Sequence, residues 1–429
     1  MASLKAWLND SRLKTAVLWS LRLLAGGVFI VSGWAKCVDL YGTCLKISEY
    51  LTAMGMDLQP ELVLIGATGL STLEFVTGIM LATGCLRRVA VWTAAGFMAV
   101  MLPLTLWIAI AKPVSHCGCF GDLFVVSNTA TFFKNVGLSV VVVLLWIYNR
   151  RRTGLYPAPI QWLVIVASWA YPLYIGYVGY QTQPLVDFRP FKIGVELLGD
   201  AGEGPKALFI YERDGHAQPF TLENLPDSTW KFVHIEETLG DEDGLLTVYT
   251  PDGNDVTFDL AETLRETPRA LLLVVSEPEA QFLTRAHYLQ ELRDYLAAGG
   301  VEMYAFVGAY GDSFDRWVRL TRPNFPAYEA EDTSLKMLVR GSAGVVYLRN
   351  GRIVWKSTLG ALSPDLPGSE DNAAEVMDSI KPIDSGASML WITGIYLAGM
   401  LVVYGLGLSP KVLRLLRRMA GGDKKVCES

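Results

Sequence analysis

Residues 112–122 read KPVSHCGCFGD and hold the densest chemistry in the chain: Cys117 and Cys119 flank a single glycine, with His116 just before them. In an extended strand the two Cα atoms would stand about 7 Å apart, at the limit of what a disulfide spans. A tight turn through Gly118 brings them closer, because glycine accepts the backbone angles such a turn demands. A ring that small is strained, and a strained disulfide has a raised reduction potential and exchanges readily. His116 and Lys112 favour the thiolate, which is the attacking form. Two small turn residues, or a static disulfide, are the plainer readings of the same stretch. A metal site made of His116, Cys117 and Cys119 is disfavoured, since three ligands so crowded do not easily surround one ion.

Two more thiols, Cys37 and Cys44, lie seven residues apart. On one continuous helix that is two turns, so both would share a face. They reach Cys117 and Cys119 only if the first and third apolar segments meet at their outer ends. A loop cysteine handing a disulfide to a cysteine at a helical bundle parallels, by analogy alone, the membrane oxidoreductases of the vitamin K epoxide reductase kind. The alternative is two unpaired thiols in an interfacial helix. Glu74 and Arg22 are ionisable groups inside apolar segments. A lone charge there is costly, so each should face the bundle interior and find a partner, with a structural or proton-handling role for Glu74. Arg22 has a simpler outlet, snorkelling to the interface. Lys36 and Asp39 read as anchors at a helix end.

The elements that must position these groups are membrane helices. Of 429 residues, 51% are apolar, and the mean hydropathy is +0.31. Six runs near 20 residues, at 15–36, 61–85, 89–111, 129–148, 160–181 and 388–408, are long enough to cross a bilayer. Residues 183–385 carry 34 acidic against 18 basic residues, a balance of −16, while the remainder carries 9 against 19, or +10. The basic groups fall at alternate helix ends: Lys5, Arg12 and Lys14; Arg87 and Arg88; Arg150, Arg151 and Arg152; then Lys411 through Lys425. The positive-inside rule puts these ends in the cytoplasm, both termini with them, and puts residues 112–128 and 182–387 outside. The first apolar run is read as an uncleaved span rather than a signal peptide. Four of the six cysteines then face the compartment where disulfides persist, while Cys85 and Cys427 lie inside. Residues 40–57 show helical spacing of apolar groups and read as an amphipathic helix along the outer surface.

Three parts result: a five-span bundle over 1–184, a soluble domain over 185–386, and a sixth span with a basic tail over 387–429. Within the soluble part, ALLLVVSE (270–277) and VEMYAFVG (301–308) read as buried strands. HYLQELRDYLAA (287–298) and SFDRWVRL (313–320) read as helices. GVVYLRNGRIVWK (344–356) reads as a hairpin turning on Asn350-Gly351. This order, with LTVYTPDGNDVTFDL (246–260) and VVYLRNGRIVWKSTLG (345–360), resembles a thioredoxin-like domain of the membrane-anchored branch over about residues 245–362. It departs from that family at SEPEAQF (276–282), which has no C-x-x-C, and at RGSAG (340–344), which lacks the family's proline. Residues 182–387 contain no cysteine, so no thiol chemistry can take place within this domain; it is expected to serve as a docking surface or an inactive scaffold.

In the membrane half, LRLLAGGVFIVSGWAKCVDLYG (21–42), then Glu74, then HCGCFGD and FFKNV (132–136) resemble, in this order, the DoxX family and its MauE-like branch over about residues 15–150. The resemblance implies a four-span bundle linked to redox or disulfide maturation in the cell envelope. The expected fold is thus a six-span α-helical membrane protein with an inserted α/β thioredoxin-like domain.

The expected function is thiol–disulfide exchange at a bacterial inner membrane, with Cys117, Cys119, Cys37, Cys44 and Glu74 as the candidate catalytic residues. A quinone is the acceptor such a system would use, and the outer domain would dock a protein partner. The rival reading is a non-catalytic assembly subunit in which the thioredoxin-like domain binds and CGCFG is a folding staple. A transporter built on Glu74 is disfavoured by the scarcity of polar groups in the spans and by the absence of paired broken helices and repeats. No nucleotide motif occurs, and the acidic outer domain argues against nucleic acid.

Overall fold

A computed structural model describes residues 11–56, 58–111, 114, 118–124, 126–148, 154–187, 189–198, 207–213, 216–220, 231–237, 246–278, 286–309, 311–380, 385–408 and 414. Lys112, His116, Cys117, Arg150, Arg151, Arg152 and Cys427 lie outside the described residues. The chain divides into two compact units, residues 1–188 with 383–429, and residues 189–382.

In the first unit the helices are α1 (Ser11–Val38), α2 (Leu40–Ala53), α3 (Pro60–Thr83), α4 (Arg87–Ala111), α5 (Asn128–Tyr148) and α6 (Gln161–Gln181), with a short strand β1 (Cys119–Asp122) before α5 and a last helix at Ser385–Leu408. Among the described residues six helices are long and apolar enough to cross a membrane: all of these except α2. Local chemistry sets their ends. Pro60 opens α3, where its missing N–H has no helical partner to lose. Gly84 closes α3 in the left-handed conformation, at φ 72°. Asp39 breaks the chain between α1 and α2, its carboxylate accepting from the Gly42 N–H at 3.0 Å. Cys37 and Cys44 therefore stand on two different helices, and the shared face expected from their spacing does not exist.

Spans α1 and α3 run antiparallel and touch backbone to backbone. A Cβ on Gly26 would come within 2.8 Å of the Gly78 carbonyl, and one on Gly33 within 2.4 Å of the Phe75 nitrogen. Small residues let membrane helices approach this closely, and dispersion and weak polar contacts then hold them. Several hydroxyls in the spans turn back on their own helix: Thr68 donates to the Leu64 carbonyl, Thr105 to Met101 and Ser168 to Val164, each at 2.7 Å. The sixth span is held by shared hydroxyls. The rings of Tyr171 and Tyr396 stack at 4.5 Å, Tyr171 meets Thr393 at 2.9 Å, and Tyr396 meets Ser168 at 2.8 Å.

The second unit is built on a mixed six-stranded sheet. Its elements are β5 (Val248–Tyr249), α7 (Thr257–Glu266), β6 (Ala270–Val275), α8 (Ala286–Ala298), β7 (Glu302–Val307), α9 (Asp312–Thr321), β8 (Ala327–Ala330), α10 (Asp332–Leu338), β9 (Ala343–Arg349), β10 (Arg352–Thr358) and α11 (Ala373–Ser379). The strand order is β10-β9-β6-β7-β8-β5. The pairs β6–β7 and β7–β8 are parallel and each is joined through a helix, while β9 and β10 form an antiparallel hairpin. Every residue of β6 is buried, because helices cover both faces. Leu271, Leu273 and Val275 pack with α8, α9 and α11, while Leu272 and Val274 pack with α7 and α10. The hairpin turns on Asn350 and Gly351 at φ 49° and 75°, both in the left-handed region such a turn requires. Between α9 and the hairpin lie β8 and α10. Strands Ala207–Arg213, His216–Phe220 and Lys231–Glu237 (β2, β3 and β4) form a separate antiparallel sheet.

One polar hub closes this unit. Asp378 accepts from the Tyr347 hydroxyl at 2.7 Å, from Arg349 at 2.5 Å and from Arg269 at 3.0 Å. Burial opposes the charge on Asp378, but hydrogen bonds from Tyr347, Arg349 and Arg269 outweigh it and hold the carboxyl down at about 2. A carboxyl depressed by folding stabilises above its ordinary value of 3.8, and that contribution is lost as pH falls towards about 2. Asp378→Asn is expected to cost about 1 kcal/mol at neutral pH, and the gap to wild type should close between pH 4 and pH 2. Hydrogen exchange of residues 343–358 in the full-length protein, comparing both proteins at each pH, measures it.

Candidate functional site

The close approach of α1 and α3 decides what Glu74 meets. With Gly33 against the Phe75 backbone, Lys36, three residues further along α1, arrives opposite Glu74. The Lys36 Nζ stands 2.6 Å from Glu74 Oε2, with side chains only 6% and 8% exposed. Glu74 therefore pairs with Lys36 and not with Arg22, and Lys36 is not a helix-end anchor. Arg22 does not snorkel to water. It is buried at 1% exposure, with its guanidinium 4.9 Å from the centre of the Trp19 ring.

Above the ion pair sits the thiol turn. The Gly121 N–H donates to the Gly118 carbonyl at 2.9 Å, with Gly118 at φ 59° and Gly121 at φ 57°. This turn runs from Gly118 to Gly121 with Cys119 as its first inner residue; the turn expected to close Cys117 on Cys119 involves Cys117, which lies outside the described residues. It is fastened to α1, since the Ser32 hydroxyl donates to the Cys119 carbonyl at 2.5 Å. It also touches α2, where a Cβ on Gly118 would lie 3.2 Å from Lys46 Cγ. Cys119 packs beside Ile108 and Val114, with Tyr50 of α2 in the same cluster.

A cavity of about 20 Å³ joins these groups, lined by Ser32, Lys36, Glu74, Cys119, Lys134 and Asn135 among apolar neighbours such as Phe29, Met98 and Leu138. That is room for about one water. Asn135 is buried and donates to Thr105 Oγ1 at 3.3 Å. The site is thus a half-buried cysteine and a buried ion pair lining one water-sized cavity, with a second lysine from α5 on the wall.

Of the residues singled out in the sequence, the structure brings Glu74 and Cys119 together. Cys37 is elsewhere: it lies on another face of α1, packed with Phe75, Tyr171 and Ile175 at 2% exposure. Cys44 sits on α2, where burial and then the Asp39 carboxylate push its thiol up to about 11. At neutral pH it is protonated and a poor attacking group. Cys85 lies beyond the far end of α3 with Tyr156 and Met400. Ser32 and Lys36 were missed as site residues. Their signal was the spacing of 29, 32 and 36, which puts them on one helical face. Lys134 and Asn135 entered only as part of a family pattern, without a role.

This architecture defines a multi-span membrane protein whose helical unit carries a buried charge pair beneath a thiol turn. Residues 14–148, about a third of the chain, match the family described as Methylamine utilisation protein MauE. Residues 206–241 match a family described as a domain of unknown function, DUF8463. No curated protein matches the chain. Among solved structures, a hypothetical protein from Sinorhizobium meliloti 1021 is similar at 14% identity, covering 32% of this chain and 82% of that one at a TM-score of 0.24. That likeness is too slight to inform the fold.

Proposed function

We propose that this protein exchanges disulfides at the extracytoplasmic rim of a bacterial inner membrane, through Cys119 with Cys117 as its partner. The observation that carries the reading is that Cys119, on a glycine-bounded turn, shares a cavity with the Lys36–Glu74 pair and Lys134. Reactive thiols need partial exposure and nearby cations, and inert ones sit buried among hydrocarbon. Cys119 fits the first description and Cys37 the second. In the step itself, a partner's thiolate attacks the Cys119 sulfur of a Cys117–Cys119 disulfide. The mixed disulfide forms, the Cys117–Cys119 bond breaks, and Cys117 leaves as a thiolate that takes up a proton. A second partner thiol then attacks the mixed disulfide and releases Cys119. The partner loses two electrons and the pair gains them; a second disulfide of higher potential reverses this. The exchange needs no quinone or metal.

On this reading both termini are cytoplasmic, residues 182–387 are periplasmic, and the second unit presents the partner. We take that unit as thioredoxin-like. In support, the two segments where the sequence departs from that family lie side by side: Ser276 donates through its N–H to the Ser342 carbonyl at 3.0 Å and through its hydroxyl to the Gly341 carbonyl at 3.1 Å.

The test is acid quenching and thiol trapping of the full-length protein in membranes, with an added dithiol peptide as reductant. Wild type is expected to form a mixed disulfide at Cys119 and release oxidised peptide. Cys119→Ser should abolish both. Full transfer in Cys119→Ser would end the redox reading in favour of an assembly subunit, which the thiol-free second unit would suit. That outcome predicts a stoichiometric partner that still co-purifies with the serine variant.

A further inference from the structure

Resting on the exchange reading above, we infer that Lys36 and Glu74 act as a charge-setting pair for Cys119: Lys36 stabilises negative charge on the sulfur, and Glu74 limits how strongly it does so. Exchange puts a full negative charge on Cys119, either as attacking thiolate or as leaving group. In a poorly polar rim that charge interacts strongly with fixed neighbours. The ammonium and the carboxylate line the same 20 Å³ cavity as Cys119. Their place relative to the turn is held by Ser32, one turn before Lys36 on the same face of α1, whose hydroxyl holds the Cys119 carbonyl at 2.5 Å. The pair touches no exchanging bond, so both are positioning residues.

Among the described residues, other charged and titratable groups stand near the turn and the cavity. Span α5 contributes Lys134. Helix α2 contributes Lys46, paired with Glu49 at 2.8 Å, together with Tyr50. Span α4 offers only Met98 and Met101 to the cavity. The segment of Cys119 itself contains Lys112, His116, Cys117 and Asp122. These stay constant when Lys36 or Glu74 is changed, so the two substitutions isolate the pair.

The test is the pH dependence of Cys119 alkylation by iodoacetamide in the reduced full-length protein, followed by mass spectrometry of the Cys119 peptide. Lys36→Met should move the midpoint up and slow alkylation about tenfold at pH 7, one pH unit being a tenfold change in thiolate. Glu74→Gln should move it down, and Lys36→Arg should restore the wild-type curve. Should a single variant not fold, the neutral pair Lys36→Met with Glu74→Gln carries the test. Its midpoint is expected above wild type, because Lys36 lies on the face that holds the turn. Unchanged curves in all variants, or shifts of one sign in both single variants, overturn the inference. That failure is separable from failure of the exchange reading, which is decided by Cys119→Ser and needs no shift in any curve.

Discussion

Glu74→Gln is expected to lower the thermal unfolding midpoint of the membrane unit by on the order of 10 °C. Removing one partner leaves the other as an uncompensated charge, which costs about 3–5 kcal/mol in a buried pair, and a unit of this size shifts by about 2–4 °C per kcal/mol. Lys36 and Glu74 are 2.6 Å apart and nearly inaccessible, so neither charge has water to fall back on. The double change Lys36→Met with Glu74→Gln should recover most of the loss, because a neutral pair of similar volume carries no desolvation cost. Melting in detergent by tryptophan fluorescence measures all three proteins. A single variant that melts with wild type would mean that the pair is not formed in the folded protein.

Gly33→Ala should be at least as damaging, and for a different reason. The added carbon would stand 2.4 Å from the Phe75 nitrogen, and backbone cannot step aside as a side chain can. The spans must separate or slide, at about 3 kcal/mol, the upper end of what overpacking usually costs. Either movement pulls Lys36 from Glu74. Glycine 27, next to nothing within 4 Å, is the internal control: Gly27→Ala should melt with wild type. Equal behaviour of the two substitutions would refute the seam as the element that builds the site.

Much of this arrangement was legible from residue types. The six spans follow from hydropathy, and the hairpin from an Asn-Gly pair between β-rich runs. Glu74 stood out because a carboxylate in hydrocarbon must have a partner. The partner itself was not legible. Lys36 sits so close to the end of its span that it reads as an anchor, and only the inter-helix register, set by Gly26, Gly33 and Gly78, turns it inward. Glycines leave no periodic trace in an apolar run. The break at Asp39 was hidden for a similar reason: one capping residue undoes a seven-residue spacing that otherwise promises a shared face. Elements β8 and α10 of the second unit lie in FPAYEAEDTSLKML, where charged residues interrupt the alternation that reveals a strand.

The lack of cysteine throughout residues 182–387 has a consequence for how this protein is made and kept. A domain without thiols forms no covalent adduct with a half-reacted client and offers no wrong pairing to an oxidant while it folds. It can be opened and closed repeatedly beside an oxidant without acquiring a disulfide, so thiol repair in this molecule concerns its other unit.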